Sequence, residues 1–263
     1  NHYALIKVSP TKSTGVVVLC ASGLQAVLCT SFLSGQAFPD PKGIAWSLCS
    51  GVFESIYFLT LVWCLQLGPL AQVYGFSRGG SLLFVWPLSI FFMGEPLSNL
   101  HATGAAIVVA GLLWSGLGAR TEGPSHRGAY FTALALCAGS IAAYHLLYKK
   151  ALFTGAHPLA VFATSMTIAV PVNLFWHRRK LREEWRTLDW KLISLASTVC
   201  TLSFLLALIA LNLAGTGWVL TLRNSSVVIA LLLAWKMGEN IPRRRALGTT
   251  LIAIGAIVLS WPT

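Results

Sequence analysis

The sequence predicts an all-α polytopic membrane protein: a ten-helix bundle, its first helix truncated, built from two inverted five-helix repeats. Three observations predict it. Apolar residues make up 56% of the 263 and charged residues only 10%, whereas about a quarter of a soluble domain is charged. Mean hydropathy is +0.71, and runs near the 20 residues a bilayer span needs follow one another without polar faces. The third observation is a set of residues that recurs at a nearly fixed offset in the two halves.

Proline, glycine and charge clusters set the element boundaries. Residues 1–8, NHYALIKV, read as the last two turns of a first helix whose start is missing. Apolar spans follow over 13–34, 45–66, 69–93, 98–118, 127–152, 158–176, 190–213, 215–237 and 243–261. Connections are mostly short, which makes sequential helices antiparallel neighbours. The one long loop is HRRKLREEWRTLDWK, 177–191. Its Trp185, Leu188 and Trp190 among cations suggest either an interfacial segment or a solvated loop. The least apolar linker, ARTEGPSHR at 119–127, separates a first repeat, 1–118, from a second, 128–263.

Glu95 and Glu239, Gly104 and Gly248, and Gly111 and Gly255 are each 144 positions apart. Arg78 and Arg223 are 145 apart, and Lys7 and Lys149 are 142 apart. Five spans per copy is an odd number, so the second copy enters the membrane from the opposite face. Inverted repeats are a transporter device, in which related halves rock about a midplane site. The bland alternative is a duplicated scaffold that transports nothing.

The net charge is +11, but the cations sit in loops, where they are topology signals and not a nucleic-acid footprint. All six cysteines fall inside apolar runs, with no C-x-x-C and no Cys/His cluster. They read as small buried apolar residues, without a disulfide framework or a metal site. H-E-x-x-H, G-x-S-x-G, P-loop and dinucleotide motifs are absent, so no cofactor is expected. An integral-membrane enzyme is the second class and a channel the third, since nothing forms a ring of like charges.

Ionisable groups deep in the spans are Glu54, Arg78 and Arg223. Such residues are costly in lipid and are functional candidates by default. Glu54 precedes the turn near Gly68 by roughly 18–21 Å of helix and Arg78 follows it by about 14 Å, so both lie near the middle. Arg223 reaches the same depth from the opposite face. Glu54 could pair with either arginine, or titrate as a proton-coupling carboxylate. The arginines read either as an open site for a carboxylate or phosphate group or as staples on backbone carbonyls. Around them lie Gln72, Tyr74, Trp218, Asn224, Ser225, Tyr144 and His145, with His2 and Tyr3 on the first helix, a mix usual in small-molecule pockets. Trp46, Trp114, Trp176, Trp185 and Trp261 sit near helix ends as interfacial anchors.

Glu95 and Glu239 each follow a helix-ending glycine, Gly94 or Gly238, and precede the next helix, with Pro96 or Pro242 shaping its start. A carboxylate there faces a helix N-terminus, so both read as turn and cap residues. Gly104 and Gly111 share a helix face with Val108 between them, and Gly248 and Gly255 mirror them around Ile252. Small residues let helices approach in lipid, which assigns the fifth and tenth spans to bundle packing.

SRGGSLLFVWPLSIFFMGEPLSNLHATGAAIVVAGLLW (77–114) resembles the end of an EamA-like repeat of the drug/metabolite transporter superfamily. LRNSSVVIALLLAWKMGENIPRRRALGTTLIAIGAIVLSW (222–261) resembles the same piece of a second repeat, and NHYALIK the end of the family's first helix. The R-x-x-S … G-E … G-x6-G pattern occurs twice, one residue shorter between Arg and Glu in the second copy. The resemblance implies ten helices in two inverted bundles and secondary transport, often export, of small metabolites along a path between the halves. The mechanism expected is alternating access around a midplane cavity between spans 1, 3, 4, 6, 8 and 9. The expected setting is the cell (inner) membrane, multi-pass. The expected partners are a small-molecule substrate and the lipid bilayer, with proton coupling an option and no nucleic acid, the protein being a monomer or homodimer.

Alternating the loops puts fourteen Lys and Arg on one side and Lys42, Lys149 and Lys150 on the other. The positive-inside rule makes the fourteen-charge side cytoplasmic and the C-terminus external. The resemblance implies both termini inside.

Overall fold

In a computed structural model of the chain, residues 14–30, 37–68, 70–93, 99–116, 127–213 and 243–259 are described, with isolated positions between 219 and 238. Among these residues lie eight α-helices: α1 (Thr14–Thr30), α2 (Pro41–Leu67), α3 (Leu70–Met93), α4 (Asn99–Gly116), α5 (Arg127–Phe153), α6 (Pro158–Glu184), α7 (Trp190–Leu213) and α8 (Arg243–Leu259). A 3-10 turn, Trp185–Thr187, lies between α6 and α7. No strand occurs among the described residues. The first span and most of the ninth, 215–237, lie outside them.

Local chemistry sets the helix ends. Asp40 caps α2, its carboxylate accepting the Lys42 N–H at 2.9 Å, and Pro41 takes the first helical position, where a missing N–H costs nothing. Gly155 ends the α5 region with φ +83°, a left-handed conformation in which its N–H reaches the Leu152 carbonyl at 3.0 Å. His157 then caps α6 by accepting the Leu159 N–H at 3.3 Å, with Pro158 at the helix start. Asp189 accepts the Lys191 and Leu192 N–H groups at 3.1 Å at the start of α7.

The stretch 177–191 differs from the expected loop. α6 continues to Glu184, the 3-10 turn follows, and α7 begins at Trp190. Arg, Lys, Leu and Glu are strong helix formers, so the helix outlasts its apolar run.

Among the described residues four helices are long and apolar enough to cross a membrane, Pro41–Leu67, Gly128–Phe153, Pro158–Thr187 and Trp190–Leu213, beside three shorter apolar ones. Large apolar side chains lie on the outer surface as well as in the core, and polar ones reach the interior. Leu24, Phe91, Phe153, Trp176 and Leu213 are exposed, while Ser22, Glu54, His145, Ser165 and Ser197 are buried. Lipid selects this arrangement, because a polar group facing hydrocarbon has no partner. Of the cysteines, Cys64, Cys137 and Cys200 are buried as expected, whereas Cys29 and Cys49 are exposed.

Contacts divide the chain into two compact units, 1–59 with 147–215 and 60–146 with 216–263. Each draws on both halves of the sequence, and the boundaries at 59/60 and 146/147 fall inside α2 and α5.

In the first unit α1, α6 and α7 pack together. Polar side chains join α1 to α7: Ser22 Oγ donates to the Ser197 carbonyl at 3.1 Å, and Gln25 Nε2 donates to Thr198 Oγ1 at 3.2 Å. Thr201 Oγ1 donates back to Gln25 Oε1 at 3.0 Å. In lipid, hydrogen bonds and close backbones replace the hydrophobic drive between helices. Phe162 and Phe204 stack at 5.1 Å between α6 and α7. Lys149, counted from the sequence with the charges of the external side, lies inside α5 and is only 8% exposed. Its Nζ donates to the Leu211 carbonyl at 2.5 Å, placing a cation on the negative end of the α7 dipole.

In the second unit α3, α4 and α8 pack together. A Cβ added to Gly111 would meet the Gly248 carbonyl oxygen at 2.8 Å, and one on Gly255 would meet the Gly104 carbonyl oxygen at 2.9 Å. Numbers rise along α4 as they fall along α8, so the two helices are antiparallel. Val108 and Ile252 are buried together at the centre of the contact. The glycines remove the side chains that would keep these backbones apart.

Candidate functional site

In the second unit, α3 carries Gln72, Tyr74 and Arg78, and α5 carries Tyr144 and His145. Arg78 follows Tyr74 by one helical turn, so the two share a face. Its guanidinium carbon lies 5.6 Å from the Tyr74 ring centroid, a cation–π contact, and the residue is 4% exposed. Gln72 is 1% exposed, and its amide Nε2 has no hydrogen-bond partner among the described residues.

His145 is fully buried and its ring stacks on that of Tyr144, centroids 4.2 Å apart. Its two nitrogens have different neighbours. Nδ1 is 2.6 Å from the Ile141 carbonyl oxygen and Nε2 is 2.7 Å from Arg223 Nη1. A carbonyl only accepts and a guanidinium only donates. The proton therefore sits on Nδ1 and the lone pair on Nε2, and the ring is the neutral tautomer. Arginine presents its N–H donors in a rigid fork, and one of them is bonded to His145.

The first unit holds a polar cluster of its own residues. Glu54 is fully buried on α2. Its Oε2 accepts from the Tyr148 hydroxyl at 2.6 Å and from Ser165 Oγ at 2.9 Å, and the two hydroxyls are 2.9 Å apart. Gly51, one turn before Glu54, allows the approach: a Cβ there would collide with the Ser165 carbonyl. Sequence reasoning singled out neither Tyr148 nor Ser165. Tyr148 lies one turn beyond Tyr144, so a hydroxyl stripe on α5 was there to be read. Ser165 sits in the run FATSMT, which gives no such signal.

The structure places Gln72, Tyr74, Arg78, Tyr144, His145 and Arg223 in one unit and Glu54 in the other. Trp218, Asn224 and Ser225, His2 and Tyr3, and Glu95 and Glu239 lie outside the described residues. Beside Glu239, Gly238 has φ +78° and its N–H donates to the Trp235 carbonyl at 3.0 Å, the geometry of a helix end.

The model of the EamA-like transporter family matches residues 130–261, a stretch that includes Tyr144, His145 and Arg223. The chain belongs to the EamA-like transporter family. A crystal structure of a protein 18% identical to it superposes with a TM-score of 0.65, covering 98% of this chain and 93% of that one, a likeness of fold. No curated protein matches the chain. Membership places this EamA-like protein among the multi-pass membrane transporters of the drug/metabolite transporter superfamily.

Proposed function

We propose that this EamA-like transporter is a secondary-active exporter of small anionic metabolites in the cell (inner) membrane. The observation that carries the reading is Arg223 bonded to a neutral His145, in the same unit as the buried Arg78. The imidazole fixes the direction of the guanidinium and adds no charge of its own. Arg223 on this imidazole and Arg78 over the Tyr74 ring give the unit two guanidiniums, a group that suits a carboxylate or phosphate through paired N–H donors. The Gln72 amide adds a neutral donor, and Tyr74 and Tyr144 supply aromatic surface.

The architecture we propose is ten helices in two inverted repeats, working by alternating access. The antiparallel pairing of α4 with α8 supports it. These helices correspond in the two repeats, and inversion turns a helix into its antiparallel counterpart. No nucleotide-binding motif exists in the sequence, so coupling is to an ion or substrate gradient. The test is transport in proteoliposomes with a panel of carboxylate and phosphate metabolites, comparing native protein with Arg78→Ala and Arg223→Ala. Saturable transport of an anion, lost in both variants, is expected. Unchanged transport in both removes this site, and hydrolysis of a panel compound in place of transport favours an integral-membrane enzyme.

A further inference from the structure

The cationic end of α6 has no part in the transport reading. We propose that it is a binding site for the headgroup of an anionic phospholipid. Its face is set by helical spacing. Arg178, Arg182 and Arg186 recur every four residues along α6 and the 3-10 turn, so they form one stripe. Leu181 and Trp185 stand beside them at three- and four-residue spacing. Together with Glu183 these residues line an open cleft of about 740 Å³.

Three arginines against one glutamate leave the lining with two net positive charges. Like charges one helical turn apart repel, and an anion held between them turns that repulsion into attraction. The guanidinium suits phosphate in particular, through paired N–H donors. Arg178 is further held in place over the Phe175 ring, at 4.3 Å.

Position argues for a lipid as the source of the phosphate. The apolar run of α6 ends at Trp176, and Phe175 and Trp176 are both exposed. At 1.5 Å per residue Arg178, Arg182 and Arg186 stand roughly 3, 9 and 15 Å beyond Trp176 along the helix, so the stripe begins within the headgroup layer and runs out past it. The headgroup layer occupies about 5–8 Å on each side of the hydrocarbon. Trp185 and Trp190 meet edge to face at 4.7 Å and are about half exposed, at 50% and 47%. Indole rings favour this same layer. The segment is also built and not loose: Leu188 is buried beneath it, Thr187 Oγ1 donates to the Glu184 carbonyl at 2.9 Å, and Asp189 caps the next helix. Anionic lipids are the charge-complementary partner at such a surface.

The test uses the full chain reconstituted in nanodiscs of phosphatidylcholine with a minority of phosphatidylglycerol. Lipid retained after extraction is counted by native mass spectrometry. Native protein is expected to retain phosphatidylglycerol selectively. Each arginine changed to glutamine should weaken that selectivity about five-fold, and the triple variant R178Q/R182Q/R186Q should abolish it. Circular dichroism and thermal unfolding establish that the triple variant is folded; its substitutions are all at exposed positions. A second variant removes three exposed cations elsewhere, K236Q/R243Q/R244Q, and should retain the lipid as native protein does. Equal loss in both variants would overturn the cleft in favour of diffuse surface charge. Retention without headgroup preference, or complete displacement by inorganic phosphate at millimolar concentration, would overturn the lipid assignment.

Discussion

His145→Leu is the substitution that most directly tests the proposed substrate site. Leucine fills much of the imidazole's volume but cannot accept a hydrogen bond. The variant therefore removes the 2.7 Å contact that directs Arg223. A hydrogen bond to a charged group contributes about 1.5–3 kcal/mol. If that energy holds the guanidinium in its anion-binding direction, its loss appears as weaker binding by roughly 10- to 150-fold. The bond from Nδ1 to the Ile141 carbonyl is lost as well, but that oxygen is already the helical acceptor of residue 145, so the added cost is small. The assay is ligand-dependent thermal unfolding of the purified full chain across a panel of carboxylates and phosphates, since a ligand that binds the folded state raises its unfolding midpoint. The concentration giving half the maximal shift should rise 10- to 150-fold in His145→Leu. His145→Gln, whose amide oxygen can accept the same bond, should recover part of the loss. A half-maximal concentration equal to that of native protein in His145→Leu would refute the reasoning, because Arg223 would then need no orienting partner.

Three further outcomes follow from the packing. Tyr148→Phe removes the 2.6 Å bond to the buried Glu54 and should lower stability by about 1–3 kcal/mol, read from denaturation in mild detergent; Ser165→Ala, which leaves the phenol bond in place, should cost less. Lys149→Met removes the cation from the carbonyl end of α7 and should cost about 1–2 kcal/mol, with faster hydrogen exchange confined to the last turn of that helix. Gly255→Leu places a Cβ 2.7 Å from the Val108 nitrogen, where ordinary contact begins at 3.4 Å; it should cost about 1–3 kcal/mol or more and reduce the monodisperse yield, whereas Gly128→Ala, in open space, should behave as native.

The positions of the eight described helices could be read from the sequence because lipid imposes one rule along the chain, and hydropathy records that rule residue by residue. The end of α6 was hidden for the same reason. Hydropathy marks where the bilayer stops, whereas the helix stops where hydrogen bonding stops, eight residues later at Glu184. The glycine faces on α4 and α8 were legible as spacing, since close approach demands small residues at a helical period. Their pairing of Gly104 with Gly255 and of Gly111 with Gly248 needed coordinates. The burial of Arg78 and Glu54 could be reached by counting residues from a turn. Their neighbours could not, because these depend on how each helix is rotated about its axis. His145 meets Arg223 across 78 positions of sequence, and Ser165 meets Glu54 across 111. Lys149 was placed outside because a charge at the end of a span usually reaches water; here a helix terminus receives it instead.

The antiparallel meeting of α4 and α8 also has a meaning in time. Gly104 leaves the ribosome about 150 residues ahead of Gly255, an interval of roughly 10–30 seconds at ordinary rates of synthesis. Through that interval the glycine face of α4 has been made and its counterpart does not yet exist. A newborn chain must therefore shelter a flat, side-chain-poor strip of helix until α8 arrives, and a chain stopped just short of α8 would carry that strip uncovered.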